Sequence, residues 1–230
     1  MPRESQVDKH GVLAGHPLFG QLRPEERERL VTYMRVVRHP PRSVLFRKGD
    51  PGTNMMIVLQ GRVKICTHSE DGKELVLNLI NPGEVFGEIA LLDGSDRTAD
   101  AVTLDQCELL VLERRDFVPF LGRHPEACMR LFAVLCERVR RTSELLEEAL
   151  FLEGASRLAK RLVRLAEIFG EPTDGGVRIG LRLSQQQLGN MVGMSRESMN
   201  KQLGQWRRED LIRMDDGYIT IPDLERLREI

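Results

Sequence analysis

Long apolar runs are missing from this chain of 230 residues. Nothing in it approaches the roughly 18–20 consecutive apolar residues of a membrane-spanning helix, and no apolar segment follows Met1 in the manner of a secretory signal. Both absences point to a cytoplasmic protein without a membrane partner. Paired cysteines are missing as well. Cys66, Cys107, Cys128 and Cys136 are scattered, with no Cys-x-x-Cys spacing. That pattern suits reduced structural thiols and gives no footing to an iron–sulphur cluster. His10, His16, His39, His68 and His124 show no metal-ligand spacing, so neither a metal nor a haem is expected. Without a metal cluster or a Ser-His-Asp pattern, catalysis is not expected either. An excess of one charge is also absent, with 34 basic against 35 acidic residues. Only 13 of those basic and 11 of those acidic residues follow position 153, so any binding of nucleic acid has to come from local placement.

What is present is an ordinary folding composition, 41% hydrophobic and 30% charged. The first dozen residues are polar and are expected to be loose. Pro24 to about Val37 has helical spacing, with Leu30, Met34 and Val37 on one face. From Ser43 to Leu112 short apolar runs follow one another: Val44–Phe46, Met55–Leu59, Val63–Ile65, Leu75–Leu79 and Glu108–Leu112. Gly49, Gly61, Asp71-Gly72 and Pro82-Gly83 separate them, which argues an antiparallel sandwich or jelly roll. Asp116–Leu121 reads as a short helix. Pro125 then opens a helix without a breaker up to about Leu152, roughly 40 Å long at 1.5 Å per residue. Leu131, Leu135, Val139, Thr142, Leu146 and Ala149 recur along it at steps of three and four, the spacing of a coiled-coil seam. Such a stripe can lie on its own domain or pair with a second copy, and a long helix between two domains favours the homodimer. Gly154 marks the end of this helix. A further helix from Ser156 to about Phe169, a turn at Thr173–Gly176 and a strand at Val177–Leu181 follow.

Two segments carry chemistry. In residues 86–99, Phe86-Gly87-Glu88-Ile89-Ala90 leads through a short helix-prone stretch to Arg97-Thr98-Ala99. A glycine turn into a helix offers backbone N–H donors to an anion. Arg97 adds a planar fork of donors suited to phosphate. Glu88 cannot bind phosphate and suits a sugar hydroxyl, and phosphate plus ribose means a nucleotide. In the second segment, Ser184-Gln185-Gln186-Gln187 fits a capping box. Leu188, Met191 and Val192 supply an apolar face, Gly193 permits a sharp turn, and Ser195 caps a second helix that turns Met199, Leu203 and Trp206 inward. This is a helix-turn-helix pattern, with Arg196, Glu197, Asn200 and Lys201 presented outward near the start of the second helix. Arginine reads guanine bidentately, and glutamate accepts from the cytosine amino group. An exposed acid–base pair at a helix start is the plainer reading of Arg196 and Glu197. Asp215-Asp216-Gly217 turns a hairpin between Leu211–Met214 and Tyr218–Ile221, which reads as a wing.

Residues 86–99 resemble the phosphate-binding cassette of cyclic-nucleotide-binding domains, in the order Phe-Gly-Glu, apolar run, Arg-Ser/Thr-Ala. From about Leu18 to Ile221 the order of β-roll, long helix and winged helix-turn-helix resembles regulators of the CRP/FNR family. The resemblance implies an α+β chain: an N-terminal extension over 1–17, a cyclic-nucleotide-binding β-roll over 18–124, a dimerisation helix over 125–153 and a winged helix-turn-helix over 154–230. It implies cAMP as allosteric effector, held at the phosphate by Arg97 and at the ribose hydroxyl by Glu88. Phe86, Gly87, Ile89 and Ala90 would complete the cassette, and Thr98 would add a hydroxyl beside the phosphate or base. Thr142 and Ser143 match a Thr-Ser pair that meets the base amino group across the dimer. Ser184, Gln185, Ser195, Arg196, Glu197, Asn200 and Lys201 would face double-stranded DNA at a palindrome of TGTGA-like half-sites. RNA polymerase is the further partner implied.

The chain departs from the family in three places. Lys201 stands where arginine is usual and lacks the bidentate fork. Glu88 and Arg97 lie nine residues apart, as in eukaryotic kinase regulatory domains. Threonine directly after the arginine is the choice of cGMP-selective domains, so cGMP is an alternative effector. An orphan regulator, or one answering to cyclic di-GMP or to redox change, is the alternative function.

Overall fold

The computed structural model describes residues 9–16, 19–20 and 22–230. The chain divides into two units, one made of the chain up to Thr67 together with Leu77–Arg140, the other of His68–Val76 together with Arg141–Ile230. Most of the expected extension over 1–17 lies outside the described residues, but helix α1 (Lys9–Gly15) falls within it and buries Leu13 completely. Helix α2 (Pro24–Thr32) follows. The helix expected to run on to Val37 stops there. Val37 belongs instead to strand β1 (Arg35–His39), paired with Leu109. Val36 and Val37 are β-branched and suit a pleated strand. Met34, by contrast, still packs with Leu30 in one core.

Strands β2 (Val44–Phe46), β3 (Asn54–Gln60), β4 (Val63–His68), β5 (Glu74–Ile80), β6 (Val85–Phe86), β7 (Asp100–Thr103) and β8 (Cys107–Glu113) complete the sandwich, with helix α3 (Glu88–Asp93) between β6 and β7. One sheet has the order β1-β8-β3-β6, the other β2-β7-β4-β5. β3 and β8 read as unbroken apolar runs because the first sheet is covered on both faces. Met56, Val58, Phe86, Leu109 and Val111 of the first sheet share one core with Val63, Ile80 and Ala101 of the second. Met55, Ile57, Leu110 and Leu112 face Leu13, Phe19, Leu30 and Phe117 on the helical side. Strands β1, β6 and β7 are additions to the sequence reading. β6 has two residues and β7 four, too short for a period-two pattern to register.

Helix α4 (Arg114–Leu121) leads into α5 (Pro125–Phe151), one helix of 27 residues. The expected seam on α5 is rotated over its first half. Leu131 is 2% exposed and packs in the core of its own unit, and Leu135 is half-buried. The outward row is Met129, Phe132, Cys136, Val139, Ser143, Leu146 and Leu150, at steps of three and four. Its apolar members are between 57% and 68% exposed. The break after α5 falls on Leu152-Glu153, and Gly154 is the first residue of helix α6 (Gly154–Phe169) rather than the stop signal. A Cβ at Gly154 would stand 3.2 Å from Met194 Sδ, so close packing is what the glycine serves.

Strands β9 (Gly170–Thr173) and β10 (Gly176–Ile179), helices α7 (Gln185–Val192) and α8 (Arg196–Arg208), strands β11 (Arg213–Asp215) and β12 (Tyr218–Ile221), and helix α9 (Leu224–Arg228) complete the second unit. Its sheet has the order β11-β12-β10-β9. Leu158, Leu162, Leu188, Met199, Leu203, Trp206, Ile219 and Ile221 are buried in this unit. No helix of the described residues is long and apolar enough to cross a membrane.

Candidate functional site

Phe86 ends β6, and the chain then turns through Gly87 into α3. Gly87 has φ +78°, and a Cβ there would lie 2.6 Å from Arg97 Nη1, so the position needs glycine for its backbone and for its neighbour. Glu88, the first residue of α3, is 1% exposed. Ala90 is buried against Gly52, whose missing Cβ leaves the space that the Ala90 methyl fills. Ile89 points outward at 36% exposure. Gly94, at φ +77°, ends the helix, and the loop returns to Arg97.

Arg97 is 5% exposed. Its Nη1 donates to the Gly87 carbonyl at 2.7 Å, its Nη2 donates to Asn54 Oδ1 at 2.9 Å, and its guanidinium lies 4.2 Å from the centre of the Phe46 ring. Its buried Nε–H has no hydrogen-bond partner among the described residues. Burial pushes its basicity down, while Glu88, Asp50 and Glu113 act on it only from a distance. Among the described residues no carboxylate forms an ion pair with it. A buried cation without an ionic partner is costly unless an anion is supplied.

Glu88 has a different surrounding. Burial raises its carboxyl above the usual range, against the pull of Arg138 and Arg97. Arg138 Nε, from α5, stands 2.8 Å from Glu88 Oε1 but is not aimed as a hydrogen bond, so neither carboxylate oxygen is hydrogen-bonded. Arg138 also donates through Nη2 to the Val85 carbonyl. Sequence reading missed Arg138, Asn54 and Phe46, because the fold gathers them from β2, β3 and α5. The site is therefore an orphan guanidinium beside a carboxylate with open acceptors. That set can take an anion and a hydroxyl group together. Thr98 is exposed directly after Arg97, and Thr142 and Ser143 stand exposed on α5 in the second unit.

The second unit presents the other expected set. Ser184 caps α7: its Oγ accepts from the Gln187 N–H at 3.1 Å, and its own N–H donates to Gln187 Oε1 at 2.8 Å. Gly193 closes α7 at φ +68°, and Ser195 Oγ caps α8 by accepting from the Ser198 N–H at 3.1 Å. Met199, Leu203 and Trp206 are buried, which turns Arg196, Glu197, Asn200 and Lys201 to solvent. Gln185 Nε2 donates to Asn200 Oδ1 at 3.1 Å and ties the two helices at their exposed ends. Ser184 and Ser195 thus spend their hydroxyls on capping. Arg157 and Arg161 of α6, also missed by sequence reading, donate to the Val192 and Met191 carbonyls at 2.9 Å and 3.2 Å and so cap the C-terminus of α7. Asp216 and Gly217, both at positive φ, turn the hairpin between β11 and β12, and Arg182 pairs with Asp216.

Two clusters of candidate metal ligands form among the described residues despite their sequence spacing, one of Cys66, His68 and Asp100 and one of Glu26, His124 and Glu126. His124 Nδ1 lies 3.4 Å from both Glu26 and Glu126. Glu26 is already forked by Arg23, so the group reads as an ion-pair network.

Comparison with known proteins supports both halves. Residues 36–124 match the cyclic nucleotide-binding domain family, and residues 156–230 match the Crp-like helix-turn-helix domain family. A CRP-like cAMP-activated global transcriptional regulator of Mycobacterium tuberculosis is 32% identical over 216 residues, 94% of this chain and 96% of the relative. The cyclic AMP receptor protein of Thermus thermophilus is 31% identical over 218 residues, 95% and 98% of the two chains. Among solved structures, the c-di-GMP responsive global regulator CLP of Xanthomonas campestris is similar, with a TM-score of 0.77 at 26% identity over 87% of this chain and all of that one. With a buried anion-seeking arginine in the matched sensor half and a capped helix pair in the other, the chain belongs to the CRP-like family of cyclic-nucleotide-binding transcription regulators.

Proposed function

We propose that this regulator binds DNA as a homodimer under the control of cAMP. The observation behind this reading is Arg97, a guanidinium 5% exposed with a partnerless Nε–H and no ion pair among the described residues. A cyclic phosphate supplies the missing charge, and the ribose hydroxyl suits the open acceptors of Glu88. Thr142 and Ser143, exposed on α5, offer a polar contact for the base across the dimer, to the nucleotide held by the partner subunit. The exposed row from Met129 to Leu150 is where a second copy of α5 would pack, with Ser143 as its polar member.

The coupling is a population shift. Nucleotide stabilises the form in which the two α8 helices match successive major grooves about 34 Å apart, and it does so only by its differential affinity for that form. Arg196 and Glu197 read base edges of a TGTGA-like half-site, Lys201 adds a base or phosphate contact, and Asn200, Gln185 and the caps at Ser184 and Ser195 sit around them. RNA polymerase is the partner through which such a complex acts on transcription. The exposed Thr98 hydroxyl beside Arg97 favours cGMP as the second reading, because guanine carries an exocyclic amino group that it can meet.

Fluorescence anisotropy on a labelled palindrome of two TGTGA half-sites tests the proposal. The protein is expected to bind at least about tenfold more tightly with saturating cAMP than without, a coupling in the usual allosteric range. Arg97→Ala is expected to give the same weak binding in both conditions. Nucleotide-dependent binding that survives in Arg97→Ala would reject the assignment of the phosphate site.

A further inference from the structure

The groups that touch the Arg97 guanidinium share one property, which is neutrality. Gly87 contributes a carbonyl, Asn54 an amide oxygen and Phe46 a ring face. Three carboxylates, those of Glu88, Asp50 and Glu113, sit near enough to favour the cation but not near enough to pair with it. We propose that Asn54 is the positioning residue of the anion-binding arm, holding Arg97 in place with a neutral acceptor so that its charge stays available to the ligand. The inference rests on the cyclic-nucleotide reading above.

Asn54 is well placed for this task. It opens β3, where it pairs with Glu113 of β8, and the next residue, Met55, is fully buried. The backbone that presents the amide is therefore fixed by a sheet ladder and a core residue. Phe46, at the end of β2, packs on Phe86 with ring centres 6.0 Å apart, which secures the face on which the guanidinium lies. Two donors of Arg97 are consumed by neutral acceptors, and Nε–H remains in a buried position with no partner among the described residues. A carboxylate at position 54 would occupy nearly the same volume and accept the same hydrogen bond. It would also neutralise the guanidinium and set a second anion beside the phosphate. Neutrality of the side chain, more than its shape, is what the arrangement requires.

Calorimetric titration of full-length protein with cAMP tests the inference on three substitutions. Asn54→Asp is expected to lose at least about tenfold in affinity although it preserves volume and acceptor, as a buried like-charge contact implies. Asn54→Ala is expected to lose about three- to tenfold, the net effect of one ordinary hydrogen bond felt by the ligand only through Arg97. Because Asn54 acts through Arg97, the Asn54→Ala loss should vanish when Arg97→Lys is already present, a coupling that a merely structural role would not show. Thermal melting of each variant guards against unfolding, and 2′-deoxy-cAMP should lose affinity by the same factor as cAMP, since the ribose contact is Glu88's. Wild-type affinity in Asn54→Asp, or losses that add independently to Arg97→Lys, would overturn the inference and leave the nucleotide site standing. A wild-type protein that binds neither cAMP nor cGMP would overturn the functional reading and this inference with it.

Discussion

A guanidinium sequestered from water without an ion-paired carboxylate raises the energy of the ligand-free state, and among the described residues Arg97 is in that condition. Gly87 is what allows it, since φ +78° and the 2.6 Å approach of Arg97 Nη1 both forbid a side chain there. Gly87→Ala is expected to cost roughly 1–2 kcal/mol of stability from the left-handed backbone alone, and to weaken cAMP binding by displacing Arg97; thermal melting and calorimetry read the two effects separately. A second residue-scale expectation concerns His16. Its imidazole is 4% exposed, and burial pulls its pKa from 6.5 down to about 4. The unfolded chain therefore takes up the proton first as pH falls. The stability linked to His16 is fully present above pH 6.5 and lost between 6.5 and about 4, up to about 3 kcal/mol. His16→Gln should flatten that part of the stability–pH curve in denaturant titrations; an unchanged curve would refute the assignment. Glu88 and Arg97 were legible in the sequence because the cassette is continuous and its chemistry is local. Asn54, Phe46 and Arg138 were not, since Asn54 meets Arg97 across 43 residues of chain and spacing in one sequence reports only neighbours on one element.

Elements differ in how far their patterns betray them. The long helix, the capping box at Ser184 and the glycine turn at Gly193 are local devices, and each stands where its residues indicate. The end of α2 was misjudged because Leu30, Met34 and Val37 also suit a helical face, while β-branching and pairing with β8 claim Val37 for a strand. The seam of α5 was misjudged over two turns because an apolar stripe does not say which of its sides meets the core. Burial of Leu131 transfers the outward row to Met129, Phe132, Cys136, Val139, Ser143, Leu146 and Leu150. That row makes an element-scale prediction. If two α5 helices pack in parallel through it, each exposed Cys136 meets its own copy, and two thiols with one equivalent of hydrogen peroxide give a disulfide and two waters. Mild oxidation should then yield a covalent dimer on a non-reducing gel, abolished by Cys136→Ser and kept in Cys128→Ser. A monomeric band throughout would contradict a parallel seam at this register.

The whole molecule joins a cyclic nucleotide-binding half to a helix-turn-helix half. The sandwich supplies the rigid frame that sequesters Arg97 and Glu88, and the second unit supplies the caps that present α8. Neither half has a large excess of positive charge to attract nucleic acid without a specific fit, since the residues after 153 hold 13 basic against 11 acidic side chains and the whole chain carries a net charge of −1. With that charge balance the proposed nucleotide control is expected to start from weak unliganded binding, which leaves room for the ligand to act. The most direct measurement is calorimetric titration of nucleotide-free protein with cAMP and with cGMP, run in parallel on Arg97→Ala. The account predicts one site per protomer with micromolar or tighter affinity for cAMP, and a loss of at least about 100-fold in Arg97→Ala, the effect of removing a charge-assisted phosphate fork. Absence of binding by the wild-type protein, or equal binding by Arg97→Ala, would contradict it.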